Sequence, residues 1–315
     1  MIFCLGETLL DIVQDASSFG YLESPAEAPG IPGGAMLNAS VSLARARMPV
    51  SLITELGDDD VATFIIRFLK NNGINTQWVR QYSEMQTSVA IAVLDQNKKA
   101  TYHFEKHYPT HRKLMSIPHF TGKDVVLFGS LYSLEEGIRS ELLKTLYDAR
   151  QAGSTIVYDP NIRQDTITRD SKQWKIIIEN IKIADIIKAS DEDLRALFGK
   201  ESPEKLLRTL SEINPWAPAI MTMGASGVLC LWKNKLTQLP AKKITIKSTV
   251  GAGDGFNAGF IYKWVQAGFT KDFIPTIGYA NIVKLLQSGI SFSSAICESE
   301  KNYIPTDFIS NNTKL

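Results

Sequence analysis

The chain has 315 residues, 44% hydrophobic and 21% charged, the balance of a soluble globular protein rather than a disordered or fibrous one. Lysine and arginine number 34 against 33 acids, a formal charge of +1, which gives no reason to expect a nucleic-acid or membrane-surface partner. Three cysteines, Cys4, Cys230 and Cys297, lie far apart with no CxxC pair, so a reduced, cytoplasmic protein is expected rather than a disulfide framework.

The N-terminal "MIFCLGETLLDIVQD" is apolar but lacks a leading Lys or Arg and contains Glu7 and Asp11. It reads as a buried strand and its sequel, not as a signal peptide. Residues 13–34 are polar and rich in Pro, Gly and Ser. The stretch "PGGAMLNASVSLARARMPV" (32–50) starts with the pair Gly33 and Gly34 and continues as a helix with Met36, Ala39, Leu43 and Ala46 on one apolar face. Asn38 falls off that face in the first turn, as a plain helix-start residue or as a hydrogen-bond donor to a ligand hydroxyl. A strand follows at 51–57, and 87–106 reads as a hairpin turning around Gln96–Lys99.

Four further strands are expected at 125–130, 154–160, 185–190 and 219–224, beginning about 30 residues apart, the length of a strand plus a crossover helix. In the first intervening helix Ile138, Leu142, Leu146 and Ala149 share a face and Gly153 supplies a stop. A later helix has Ser202 as N-cap, Pro203 in its first turn and a stripe of Leu206, Leu207 and Leu210. Apolar strands alternating with amphipathic helices predict an α/β fold, a mostly parallel sheet covered by helices on both faces. Segments 13–34 and 87–106 break the alternation and predict a small accessory sheet, either a lid over a pocket or decoration of the sheet edge. No uncharged apolar run reaches about 18 residues, so no membrane span is expected. The whole of 1–315 reads as one domain with a lid.

The chemistry is concentrated in "TVGAGDGFNAGF" (249–260), which follows the β-rich "KITIK" and opens a helical pattern of Phe256, Phe260 and Trp264. Gly251, Ala252 and Gly253 let free backbone N–H groups approach an anion, and the helix dipole adds positive charge there. Asp254 is either an acid favoured at a helix start or a general base for a hydroxyl that attacks phosphorus. No GxxxxGK[ST] is present, and Gly251, Gly253 and Phe256 fail GxGxxG at its third glycine. The segment also lies near the C-terminal end, whereas a dinucleotide fold carries its fingerprint after the first strand.

"GGAMLNASVSLARA" followed by "TVGAGDGFNAGF" resembles the PfkB (ribokinase-like) carbohydrate kinase family, and the resemblance runs from "GETLLD" to "YANIVKLLQSG". It implies a ribokinase-like fold and ATP- and magnesium-dependent phosphorylation of a sugar hydroxyl. By the resemblance Asp254 is the catalytic base, and Gly251, Ala252 and Gly253 form the anion hole. Asp11, Gly33, Gly34 and Asn38 bind the sugar, and the lid often also forms a homodimer contact. Thr222, Gly224 and Gly227 in "MTMGASGVLCL" (221–231) lie near ATP, and Asn281 lies at the adenine. "KASDEDLRALFG" (188–199) matches the NxxE motif with Ser190 for the asparagine and Asp193 for the glutamate, one methylene shorter on its way to a metal-bound water. A plain N-cap role for Ser190 stays open.

"YDPNIR" (158–163) resembles segments of fructokinases and 2-keto-3-deoxygluconate kinases, where Arg163 would hold phosphate or a carboxylate through its planar fork. In "TYHFEKHYP" Tyr102 and Phe104 share one strand face and would pack on a sugar, while His103 points the other way. His107, His111 and His119 show no metal-ligand pattern. Ser248 departs from the family, which often has an aspartate there that helps hold a monovalent cation. Such an ion would be weakly held or rest on backbone carbonyls near Gly289. Fructose is the first acceptor expected, ahead of 2-keto-3-deoxygluconate, then ribose or a nucleoside. The different-class alternative is a sugar-binding regulator without turnover.

Overall fold

A computed structural model describes residues 1–15, 30–83, 85–94, 100–109, 112–115, 119–162 and 167–312. In chain order the strands are β1 (Ile2–Leu5), β2 (Leu9–Asp15), β3 (Gly30–Gly33), β4 (Val50–Gly57), β5 (Val79–Tyr82), β6 (Val89–Leu94) and β7 (Ala100–Glu105). They continue as β8 (Val125–Gly129), β9 (Thr155–Asp159), β10 (Ile186–Ser190), β11 (Ala219–Thr222), β12 (Val228–Trp232) and β13 (Lys235–Leu239). The longer helices are α1 (Ala35–Arg45), α2 (Asp60–Asn71), α3 (Glu136–Gln151), α4 (Lys172–Ile183), α5 (Asp191–Phe198), α6 (Pro203–Ile213), α7 (Ala252–Gln266) and α8 (Tyr279–Cys297).

Among the described residues one sheet runs β13-β12-β11-β10-β9-β8-β1-β4-β5. From β11 to β5 every pairing is parallel, and β12 and β13 extend the edge antiparallel. All six strands expected from apolar runs are present. The strands are buried on both faces, and alternate residues feed two cores. Ile2 and Cys4 join one with α1, α2, α7 and α8, while Phe3 and Leu5 join the other with α3 to α6. The expected helical stripes are the buried ones, with Ser202 Oγ accepting from Lys205 N–H at the start of α6. The cysteines are free and buried. No helix among the described residues is long and apolar enough to cross a membrane.

A second sheet, β3-β2-β6-β7, carries the expected hairpin as the antiparallel pair β6–β7. This sheet, the one expected to serve as a lid, begins at Leu9, earlier than the polar segment at 13–34 suggested, so Asp11 belongs to one of its strands; residues 16–29 of that segment lie outside the described residues. The "KITIK" stretch is not a strand. It has no ladder partner, and Ile246 is 58% exposed, so its alternation marks an extended surface loop. Two strands that parallel βα units do not require, β12 and β13, are joined through Lys233 and Asn234. Both have positive φ (50° and 60°), the pattern of a tight hairpin turn.

Candidate active site

In an open parallel sheet, ligands collect outside the carboxyl ends of the strands, where neighbouring connections diverge. Here β1 is the divergence point, with β4 on one side and β8 on the other. A cavity of about 980 Å³ lies at this end. Its wall takes residues that follow β1, β8, β9, β10 and β11, from the lid sheet, and from the start of α7.

Asp254 stands in the first turn of α7, almost fully buried, and faces this cavity. Burial pushes its carboxyl up to about 7. The hydrogen bond from Asn38 and the Lys188 charge oppose that rise, while Asp159 and Asp11 add to it. A carboxylate so tuned can take a proton near neutral pH. The N-cap Gly251 is left-handed (φ 79°), and a Cβ there would come within 2.4 Å of the Asn302 carbonyl oxygen, so only glycine closes this loop. Gly251 and Gly253 line the cavity and Ala252 does not. The Ala252 N–H is turned back onto the Thr249 carbonyl at 3.2 Å, which removes one of the three expected anion donors.

The expected sugar ligands converge from the lid side. Asp11, Gly34, Asn38 and Phe104 all line the cavity. Gly33 sits behind Asp11 instead, where a Cβ would fall 1.9 Å from Asp11 Oδ2. Asn38 is not free to serve only the sugar. It is buried, and its Nδ2 donates to Asp254 Oδ2 at 2.9 Å, while its Oδ1 is buried without a partner. Tyr102 pairs with Ala92 in the lid ladder, but its side chain is outside the described residues, as is all of Arg163.

At the other end Ser190, Asp193, Thr222 and Gly224 line the same cavity. Ser190 and Asp193 form a reciprocal capping box. Ser190 Oγ accepts from Asp193 N–H at 3.0 Å and Asp193 Oδ2 accepts from Ser190 N–H at 2.7 Å. Asp193 Oδ1 accepts from Ile162 N–H at 2.6 Å, so both oxygens of this acid are engaged by backbone. Gly227 is not on the wall; it abuts the Leu239 carbonyl across the hairpin. Asn281 lines a separate cavity of about 880 Å³ between α7, α8 and residues 239–242. Ser248 meets the end of α8, its N–H 3.3 Å from the Cys297 carbonyl. Gly289 lies eight residues earlier in α8, about 12 Å along a helix, and packs on the Phe256 ring, so carbonyls near it are not at Ser248.

Lys188, Asp159, Asn257 and Lys106, on or under this wall, are among the residues that the sequence does not single out. Lys188 Nζ donates to Asp159 Oδ2 at 2.8 Å, and Asn257 Nδ2 from α7 donates to the same oxygen at 2.6 Å. The available signal was a charge inside each of two otherwise apolar strands. Lys106, at the cavity's lid end, is ion-paired to Glu7 at 3.0 Å and Glu135 at 2.7 Å.

Residues 1–307 match the sequence model of the pfkB family carbohydrate kinase. The chain is 25% identical over 263 residues to a fructokinase of Vibrio alginolyticus, covering 82% of each. Its fold superposes with a TM-score of 0.81 on the aminoimidazole riboside kinase of Salmonella enterica complexed with aminoimidazole riboside and an ATP analog, at 20% identity and 98% coverage of both chains. It superposes equally well, at 0.81, on the Vibrio cholerae O395 fructokinase in its fructose, ADP and calcium ion bound form, at 20% identity over 96% of this chain and 94% of that one. The architecture is therefore ribokinase-like, and a chain that matches along its whole fold belongs to the pfkB family of carbohydrate kinases, phosphotransferases that use ATP.

Proposed function

We propose that this kinase transfers the γ-phosphate of ATP to a primary hydroxyl of a neutral sugar, with fructose as acceptor. The observation that carries the reading is Asp254, buried at a helix start in one cavity with Asp11 and Asn38 on its lid side and Ser190 and Thr222 on the other. Asp254 takes the proton of the acceptor hydroxyl, whose oxygen attacks the γ-phosphorus. The backbone N–H groups at Gly251 and Gly253 and the start of α7 favour the charge that grows on the phosphoryl oxygens. Thr222 and Gly224 suit the phosphate chain of the nucleotide, and Asn281 in its own cavity suits the base.

The charge of the wall favours a neutral acceptor over 2-keto-3-deoxygluconate. Seven carboxylate side chains line the cavity against two lysines, and both lysines are already paired with carboxylates. A sugar acid at the acceptor end, beside Asp11 and Asn38, meets repulsion there, and the lysine at that end, Lys106, is taken by Glu7 and Glu135. A base as buried as Asp254 also favours turnover over a purely sugar-binding regulator, which has no use for it.

Among the described residues no group of three His, Cys, Asp or Glu side chains could hold a metal ion, and Asp193 is committed to backbone. Magnesium therefore fits as an ion carried by the nucleotide phosphates, with Asp191, Glu192 and Glu300 as nearby oxygen donors for its water shell. It would neutralise phosphate charge there. The free, buried cysteines support a cytoplasmic protein, and β3 and β7, the two edges of the lid sheet, are where a second copy would add to form a homodimer.

The deciding experiment is ADP release from ATP and magnesium with fructose, 2-keto-3-deoxygluconate, ribose, adenosine and aminoimidazole riboside. Highest kcat/KM with fructose supports the proposal. Preference for the keto acid overturns the neutral-sugar reading, and sugar binding by calorimetry without ADP release from any acceptor overturns the kinase reading.

A further inference from the structure

Two neighbouring strands of the central sheet each spend one position on a charge. In β9 Ile156 and Tyr158 face the core shared with α3 to α6, while Val157 faces α7, so Asp159 falls on the α7 side. In β10 Ile187 and Ala189 face the first of these cores, so Lys188 falls on the α7 side as well. The two side chains meet at 2.8 Å, 1% and 6% exposed. Asn257, three residues after Asp254 on α7, ties the same Asp159 oxygen to the catalytic helix. Burying an ion pair between strands is costly, and an apolar pair of similar volume would serve the scaffold at least as well.

The position of the ammonium group points to its use. Lys188 lines the active-site cavity, and its Nζ lies 3.0 Å from where a Cβ on Gly253 would be, directly beneath the anion loop. Asp193 and Asp254 face it in addition to Asp159. Three carboxylates thus surround Lys188, two of them, Asp193 and Asp254, on the cavity wall, and the other cavity lysine, Lys106, is occupied by Glu7 and Glu135 at the lid end. A phosphoryl group brought to such a wall gains from a fixed positive charge aimed at its oxygens. Burial works against that charge, but Asp159 and then Asp193 hold the Lys188 amine protonated, above its ordinary range.

We propose that Lys188 is a catalytic residue, the fixed cation that receives the γ-phosphoryl oxygens of ATP during transfer. The assignment rests on the kinase reading above. The bond from the acceptor oxygen to the γ-phosphorus forms as the bond from that phosphorus to the β–γ bridging oxygen breaks. The electron pair leaves with ADP, and the hydroxyl proton goes to Asp254. Lys188 keeps its proton throughout and balances charge on the oxygens in flight.

The test uses the full chain with Lys188→Met, and Lys188→Met combined with Asp159→Asn, which removes the orphaned buried carboxylate. Turnover with fructose, calorimetric affinity for ADP and for the non-hydrolysable AMP-PNP, and the melting temperature are measured. Expected for Lys188→Met is a turnover loss of roughly 10²- to 10³-fold. AMP-PNP affinity falls about 10-fold or more while ADP affinity changes less than about 3-fold, since only AMP-PNP carries a γ-phosphoryl group. The double variant regains melting temperature but not turnover.

Turnover restored to within a few-fold of wild type in the double variant overturns the assignment, as do equal losses of ADP and AMP-PNP affinity. A double variant that does not fold makes the pair scaffold and also overturns it. Failure of the kinase reading looks different: the wild-type chain itself then releases no ADP and does not bind AMP-PNP.

Discussion

Asn38 Nδ2 donates to Asp254 Oδ2 at 2.9 Å, joining residues 216 positions apart into one unit at the heart of the cavity. The bond favours the ionised form of a carboxyl that burial holds up to about 7. Replacing Asn38 with Ala removes the donor, so the Asp254 pKa rises further. Because the base works only when deprotonated, the acidic limb of kcat/KM should move upward, by about one pH unit. A pH profile from 5.5 to 9 reads this directly, and the variant should lose more at pH 6.5 than at pH 8.5. An unmoved limb would mean that Asp254 is not the group that titrates.

Asp254→Asn removes the proposed base and the buried charge together. Turnover should fall roughly 10²-fold or more with sugar affinity by calorimetry near wild type. Stability should move the other way. The folded protein holds the Asp254 proton up to about pH 7, whereas an unfolded aspartate releases it near 3.8. This group's contribution is therefore full below pH 3.8 and is lost as pH rises through about 7. At pH 8 Asp254→Asn should be the more stable protein, by on the order of a few kcal/mol in urea unfolding, with the gain shrinking toward pH 4. A variant less stable at pH 8 would contradict the burial argument.

How far the sequence carries this picture depends on whether a feature is local. The β8 to β11 repeat, the stripe of Ile138, Leu142 and Leu146, and the glycine-rich start of α7 are legible because each is decided within one run of residues. "KITIK" misleads for the same reason, since alternation says nothing about whether a ladder partner is present. The β12–β13 hairpin escapes notice because Lys233 and Asn234 make its turn without a glycine. The Asn38–Asp254 and Lys188–Asp159 pairs depend on strand order and register, which no single stretch of sequence encodes. The sequence at Asn38 therefore gives no sign of its bond to Asp254, and the charge of Lys188 within an apolar strand gives no sign of its partner.

Gly33 and Asp11 make a sharper test of the sugar side than any direct contact. A methyl group on Gly33 would sit 1.9 Å from Asp11 Oδ2, so the carboxylate must swing away. Gly33→Ala should raise KM for the sugar about 10-fold or more while KM for ATP changes less than about 3-fold, because Asp11 is on the lid strand, away from Ser190 and Thr222. An equal rise in both constants would show a general collapse of the lid instead.

Below the lid, Arg112 binds Glu55 and Glu135, and Tyr132 and Tyr82 donate to the two Glu55 oxygens at 2.6 and 2.7 Å. Glu55 is fully buried and the Arg112 side chain is 4% exposed. Burial opposes the guanidinium charge, yet the two glutamates hold its pKa above the ordinary value. This cluster ties the chain returning from β7 to the central sheet at β4. Arg112→Met leaves Glu55 charged and unpaired in the core and should cost about 3–5 kcal/mol of stability. Pairing it with Glu55→Gln removes that orphaned charge, so the double variant should recover much of the loss in urea unfolding. Neither effect should fade between low and high salt, since buried charges are poorly screened. Additive losses in the double variant would mean that Arg112 stabilises through packing against Tyr108, over whose ring its guanidinium lies at 3.7 Å, and not through the ion pair.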